Sequence, residues 1–91
     1  MKRTECLKEA VDLITGDRAI DYGDATESHE RIAHMWNCYL RLPDSSISAQ
    51  DAAVMMILLK IVRLSNRATP DGFVDICGYA ALASEMGLDN C

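Results

Sequence analysis

The chain has 91 residues, 49% of them hydrophobic and 25% charged, with a formal net charge of −5 at pH 7. That length gives one domain with a small core, so the expectation is a single helical domain over residues 1–91 that associates with copies of itself. The acidic balance counts against a protein that coats a DNA or RNA polymer, which needs broad positive surface, yet leaves room for a local cation pocket around a small phosphorylated ligand.

The N-terminal stretch MKRTECLKEAVDLITGD opens on two cations, but Glu5, Lys8, Glu9 and Asp12 interrupt any apolar run after them. No secretory signal is expected there. Leu7, Ala10, Val11 and Ile14 recur at helical spacing and predict a first helix, with Thr4 as N-cap and Gly16 as stop. A linker, GDRAIDYGD, follows.

The second helix is expected to start at Asp24, which with Glu27 forms an acidic version of the capping box. Its buried face is predicted to hold Ile32, Met35, Trp36, Tyr39 and Leu40, and Pro43 ends it. Ser48 followed by Asp51 is a second capping-box pattern, opening a third helix that is apolar nearly all round from Ala52 to Leu59. Thr69 as N-cap with Pro70 at the first helical position opens the fourth. That helix carries Phe73, Ile76, Cys77, Ala80, Leu82 and Ala83 before Gly87 stops it.

No period-2 stretch of β-branched residues suggests a strand, and no apolar run approaches the ~20 residues of a membrane span. The predicted fold is therefore all-α, a compact bundle of about four helices, assembled as a homo-oligomer through the apolar third helix. No membrane partner is expected. Cys6, Cys38, Cys77 and Cys91 form no Cys-x-x-Cys pair and read as free thiols in a reducing cytoplasm, with Cys38 and Cys77 as small core residues. They are not clustered with His29 or His34 as a zinc site requires.

Four groups of residues invite a chemical reading. Lys60, Arg63 and Arg67 share one face of the third helix. Cations near a helix C-terminus complement its macrodipole by about 0.3–1 kcal/mol each, and for Arg67 that explanation weighs as much as a functional one. Lys60 instead emerges between Leu59 and Ile61, where an enclosed charge wants an anionic partner. Asp75 and Tyr79 lie one turn apart on the fourth helix, and Asp75 can either pair with these cations structurally or orient an arginine that holds a phosphate. In the linker, Tyr22 and Gly23 precede a helix N-terminus, a setting for anion capture as well as for a plain turn. Glu27 and Glu30 lie three residues apart; such carboxylates can hold Mg²⁺, although cap and solvated residue is the simpler role.

The segments GDRAIDYGDATESHERIAHMWNCYL, ISAQDAAVMMILLKIVRL and DGFVDICGYAALASE, in that order, resemble a family of small phage and prophage proteins. The resemblance covers roughly residues 15 to 86, and it implies an all-helical protein of phage type. Its polar pattern falls on Asp17, Arg18, Asp21, Tyr22, Gly23, Lys60, Arg63, Asp75, Gly78 and Tyr79. More remotely, the chain is similar to the MazG-like all-α nucleoside triphosphate pyrophosphohydrolases, which bind Mg²⁺ through Glu-Glu-x-x-Glu on one helix and Glu-x-x-Asp on the next. Here Glu27 and Glu30 supply only Glu-x-x-Glu, and Asp71 and Asp75 are four residues apart rather than three. That departure argues against hydrolysis.

The resemblance and the polar residues together imply a cytoplasmic, non-enzymatic nucleotide-binding protein in the bacterial host. It would sequester a nucleotide immune signal, of the cyclic dinucleotide or cyclic ADP-ribose type, as an anti-defence sponge. Its ligand residues would be Arg18, Tyr22, Gly23, Lys60, Arg63, Asp75 and Tyr79, with no catalytic residue and no cofactor. The alternative is a divergent MazG-like hydrolase whose Glu27, Glu30, Asp71 and Asp75 gather Mg²⁺. A second alternative is a structural or protein-inhibiting phage module.

Overall fold

A computed structural model of the chain describes residues 1–16 and 24–87. They form four helices, α1 (Arg3–Thr15), α2 (Ala25–Leu40), α3 (Ala49–Asn66) and α4 (Pro70–Met86), and no strand among the described residues. The all-α, four-helix architecture is the expected one.

Local chemistry sets most of the helix ends. The Asp24 side chain accepts from the backbone N–H groups of Thr26 and Glu27 at 2.7 and 3.2 Å and caps α2. At α3 both arms of the capping box are made: Ser48 Oγ accepts from Asp51 N–H, and Asp51 Oδ2 accepts from Ser48 N–H, each at 3.0 Å. Thr69 Oγ1 accepts from Gly72 N–H at 3.2 Å, with Pro70 in the first turn of α4. Only α1 departs from expectation. It begins at Arg3 with Lys2 in the cap position and no side-chain cap bond, so Thr4 lies inside the first turn instead of capping it. Its end at Gly16 is steric: a Cβ there would stand 2.6 Å from the Asp12 carbonyl oxygen. The chain leaves α2 through Arg41, held left-handed at φ 56° and ψ 40°, with its N–H returning to the Asn37 and Cys38 carbonyls.

Helices α3 and α4 pack most extensively, α1 lies against α4, and α2 lies mainly against α3 with a light touch on α4. Among the described residues α1 meets neither α2 nor α3. The packed surfaces are made of small side chains. Ala10, Ala33, Ala52, Ala53, Val74, Ala83 and Met86 are the buried hydrophobics, and no large side chain in the described residues is fully enclosed. Ala52 and Ala53, both at 0% exposure, let α3 approach its neighbours at close range.

The predicted apolar faces are corrected accordingly. On α1, Ala10 is buried and Ile14 half-buried, but Leu7 and Val11 face solvent. On α2 the buried residues are His29, Ala33 and Asn37, four apart; Ile32 and Trp36 are half-buried, while Met35, Leu40 and Tyr39 (85% exposed) point outward. Phe73 and Ala80 of α4 are exposed, and Cys38 is exposed instead of in the core. The reason is shared: helices brought this close bury the small residue at each crossing and displace the large ones to the flanks.

Asn37 fastens the α2–α3 connection. Its Nδ2 donates to the Ile47 carbonyl at 3.1 Å and its Oδ1 accepts from the Ile47 N–H at 3.0 Å, an amide clamp with 3% exposure. Asn37→Ala strands both backbone groups, and is expected to lower stability by about 2–3 kcal/mol. A urea melt followed by circular dichroism reads this directly, with no change in helix content at zero denaturant.

Candidate functional site

Because α1 and α2 do not touch, a cleft of about 480 Å³ opens between the end of α1 and the start of α2, with α4 and Met56 of α3 as its floor. Leu13, Ile14, Ile32, Met56 and Leu82 supply its apolar wall. Its polar groups are Asp24, Thr26, Ser28, His29, Asp75, Tyr79 and Glu85. A second depression of about 590 Å³ lies beside the N-termini of α1 and α4, between Lys2, Arg3, Cys6, Leu7, Phe73, Ile76 and Cys77. Its polar side chains are two exposed cations, the Cys6–Cys77 thiol pair and Thr69, whose hydroxyl already caps α4, so the first cleft, with more converging polar groups, is the candidate site.

Asp75 is held in place from behind: Lys60 Nζ stands 2.9 Å from its Oδ2, with the two side chains 16% and 25% exposed. The enclosed Lys60 does have an anionic partner, and that partner is protein. One turn beyond Asp75, the ring of Tyr79 meets His29 edge to face, centroids 6.0 Å apart at 79°, a favourable aromatic geometry. His29 is 6% exposed, and its Nδ1 lies 2.8 Å from the Ala25 carbonyl oxygen. A carbonyl only accepts, so Nδ1 donates, and in the neutral ring Nε2 presents a lone pair. That Nε2 is buried and has no partner among the described residues. An unmet buried polar atom costs about 1–3 kcal/mol, and its occurrence needs a reason.

Of the expected ligand residues, Asp75 and Tyr79 line this cleft and Lys60 supports it through Asp75. Arg63 is exposed one turn further along α3. Arg18, Tyr22 and Gly23 lie outside the described residues, as do Asp17, Asp21 and Cys91. Gly78 is buried on the cleft floor, where a Cβ would meet only Ile14 and Leu13 at ordinary contact distances of 3.5 and 3.6 Å. The carboxylates of the hydrolase alternative are not gathered: Glu27, Glu30 and Asp71 are exposed, and among the described residues no group of three or more His, Cys, Asp or Glu side chains is placed to hold a metal ion. The exposed His34 instead places its Nε2 3.7 Å from Cys38 Sγ on the same helix.

His29 and Glu85 were not foreseen as site residues. The signal for His29 was present as a four-residue rhythm, His29, Ala33, Asn37, that marks the contact side of α2 with small and polar residues. At the second depression the sulfurs of Cys6 and Cys77 approach to 4.0 Å. Burial first, then the neighbouring Cys77 thiol, push the Cys6 thiol above its ordinary value.

Residues 5–87 match the model of a protein family described as a domain of unknown function, DUF6378. The chain belongs to this family. It is 49% identical over 83 residues to the Gene 55 protein of Mycobacterium phage L5, a match covering 90% of this chain and 52% of that protein. It is 40% identical over 81 residues to the Gene 55 protein of Mycobacterium phage D29, covering 88% of this chain and 52% of that protein. The chain thus spans about half the length of the curated relatives it matches. No solved structure matches it. The expected kinship with phage proteins is therefore met at the level of the family.

The Lys60–Asp75 pair is shielded enough to matter. Lys60→Met and Asp75→Asn are each expected to cost about 1–3 kcal/mol, and the double variant less than their sum. Urea melts of the four proteins measure the coupling; strict additivity would show that the pair contributes nothing.

Proposed function

We propose that this member of the DUF6378 family is a phage-type nucleotide-binding protein that holds its ligand without chemistry, as a sponge for a nucleotide signal in host defence. The observation that carries the reading is the cleft where Asp75, fixed by Lys60, stands one turn from Tyr79, whose ring meets His29 with its unpartnered Nε2. An apolar cavity with a few converging polar groups is the usual form of a small-molecule site, and Tyr79 offers a face on which a base can stack. Lys60 then acts by orienting Asp75, and Arg63, exposed one turn beyond it on α3, is the expected ligand cation among the described residues that can meet a phosphate outside the cleft.

A second copy of the chain belongs to the same reading. Val54, Met55, Leu58, Leu59, Ile61 and Val62 all lie exposed on α3, next to a core built mostly of alanines. A domain this small gains the burial it lacks by closing that face against a twin. The light-scattering mass is expected to be a multiple of 10.1 kDa and to fall to the single-chain value in Leu58→Glu. A single-chain mass for the parent protein removes the self-association part.

The functional test is depletion. The purified protein is incubated with a panel of linear and cyclic nucleotides and Mg²⁺, and the supernatant is chromatographed before and after denaturing the protein. Intact nucleotide that disappears and returns on denaturation is the expected result, lost in Lys60→Ala and weakened in Arg63→Ala while both stay folded. Released pyrophosphate would favour hydrolysis, and no depletion of any nucleotide would overturn binding altogether.

A further inference from the structure

The carboxylates at the cleft wall are all acceptors. Asp24, Asp75 and Glu85 present carboxylates, and in the neutral ring of His29, with Nδ1 donating to Ala25, Nε2 presents a lone pair. The hydroxyls of Thr26, Ser28 and Tyr79 can turn to donate or accept. Among the described residues no lysine or arginine lines the cavity, and Lys60 stands behind Asp75. A phosphate brought here would face three carboxylates and no cation from the described residues. A flat, uncharged group that carries several N–H donors meets the opposite situation: acceptors and apolar side chains in the lining, and Tyr79 to stack on.

We infer that the cleft receives the base of the nucleotide and leaves the phosphates outside, and that it selects guanine. This rests on the nucleotide-binding reading and says which end of the ligand enters. Guanine alone among the common bases offers adjacent N1–H and 2-amino donors, a pair that matches the two oxygens of a carboxylate side by side. Asp75 is the carboxylate prepared for it, since Lys60 holds Oδ2 at 2.9 Å and fixes the plane of the group. Adenine and cytosine offer one amino group each, next to a ring acceptor that would oppose the second oxygen. Uracil has a single N–H flanked by two carbonyls, which the same carboxylate repels. His29 Nε2, buried and unpartnered, is the acceptor that a donor of the bound ligand satisfies when Tyr79 shifts from its edge-on contact.

Calorimetric titration of the whole chain with guanosine, inosine, adenosine, cytidine, uridine and guanosine monophosphate tests this without any variant. Guanosine is expected to bind about tenfold or more tightly than inosine, which lacks the 2-amino group, or adenosine, within the range a bidentate contact supplies. Removing the phosphate, from the monophosphate to guanosine, is expected to change affinity less than changing the base. Asp75→Asn should lose the preference for guanosine over inosine, and His29→Phe should weaken guanosine binding in a protein whose circular dichroism is unchanged. Equal binding of all the nucleosides, or binding that follows the phosphate and ignores the base, overturns base selection while leaving nucleotide binding in place. No heat and no depletion with any nucleoside or nucleotide overturns the reading beneath it as well.

Discussion

Close approach of helices through small side chains is the constraint on which the rest depends. Ala52 and Ala53 vanish into the contacts of α3, and Ala10, Ala33, Ala83 and Gly78 play the same part on the other helices. An alanine buries little area, so each contact contributes modestly through transfer from water and mostly through dense packing. Large aliphatic residues are then pushed to the edges of the contacts, where many stay half or fully in solvent. The chain ends with a tight, thin core and a broad apolar outside, the reverse of the usual proportion.

The polar site follows from the same geometry. With α1 resting on α4 and α2 resting mainly on α3, the two outer helices flank a gap that the floor residues cannot fill, because Gly78 has no side chain and Tyr79 lies over His29. Lys60 reaches Asp75 across the α3–α4 contact, joining the best-packed pair of helices at the point where the cavity begins. An ion pair with both members partly shielded is worth little as net stability but a good deal as orientation, since the carboxylate loses its freedom to rotate. Position, not charge, is what Lys60 provides.

Helix ends were largely legible in the sequence because capping is local chemistry. Ser48 and Asp51 satisfy each other within four residues, and Thr69 with Pro70 needs nothing from elsewhere in the chain. Thr4 misled because a good capping residue still yields when the chain can begin its helix two residues earlier. Helix faces were read less well. Periodicity marks which residues are apolar, and the usual rule then sends the largest ones inward; here Met35, Tyr39 and Leu7 lie outside while Ala33, Asn37 and Ala10 lie inside. Nothing in one chain's periodicity says how near two helices will come. The ion pair of Lys60 was foreseeable from its apolar neighbours, whereas the buried lone pair of His29 depends on where α4 places Tyr79, which no local spacing reveals.

The attachment of α1 bears on the cavity. It is held by α4 alone among the described helices, through an interface much smaller than that between α3 and α4. Its Leu13 and Ile14 are also the outer wall of the cavity. A helix with one neighbour is the first to lift away in local unfolding, at a free energy well below that of the whole domain. Lifting of α1 would take one wall of the cavity with it, so the shape of the cleft and the docking of this helix rise and fall together.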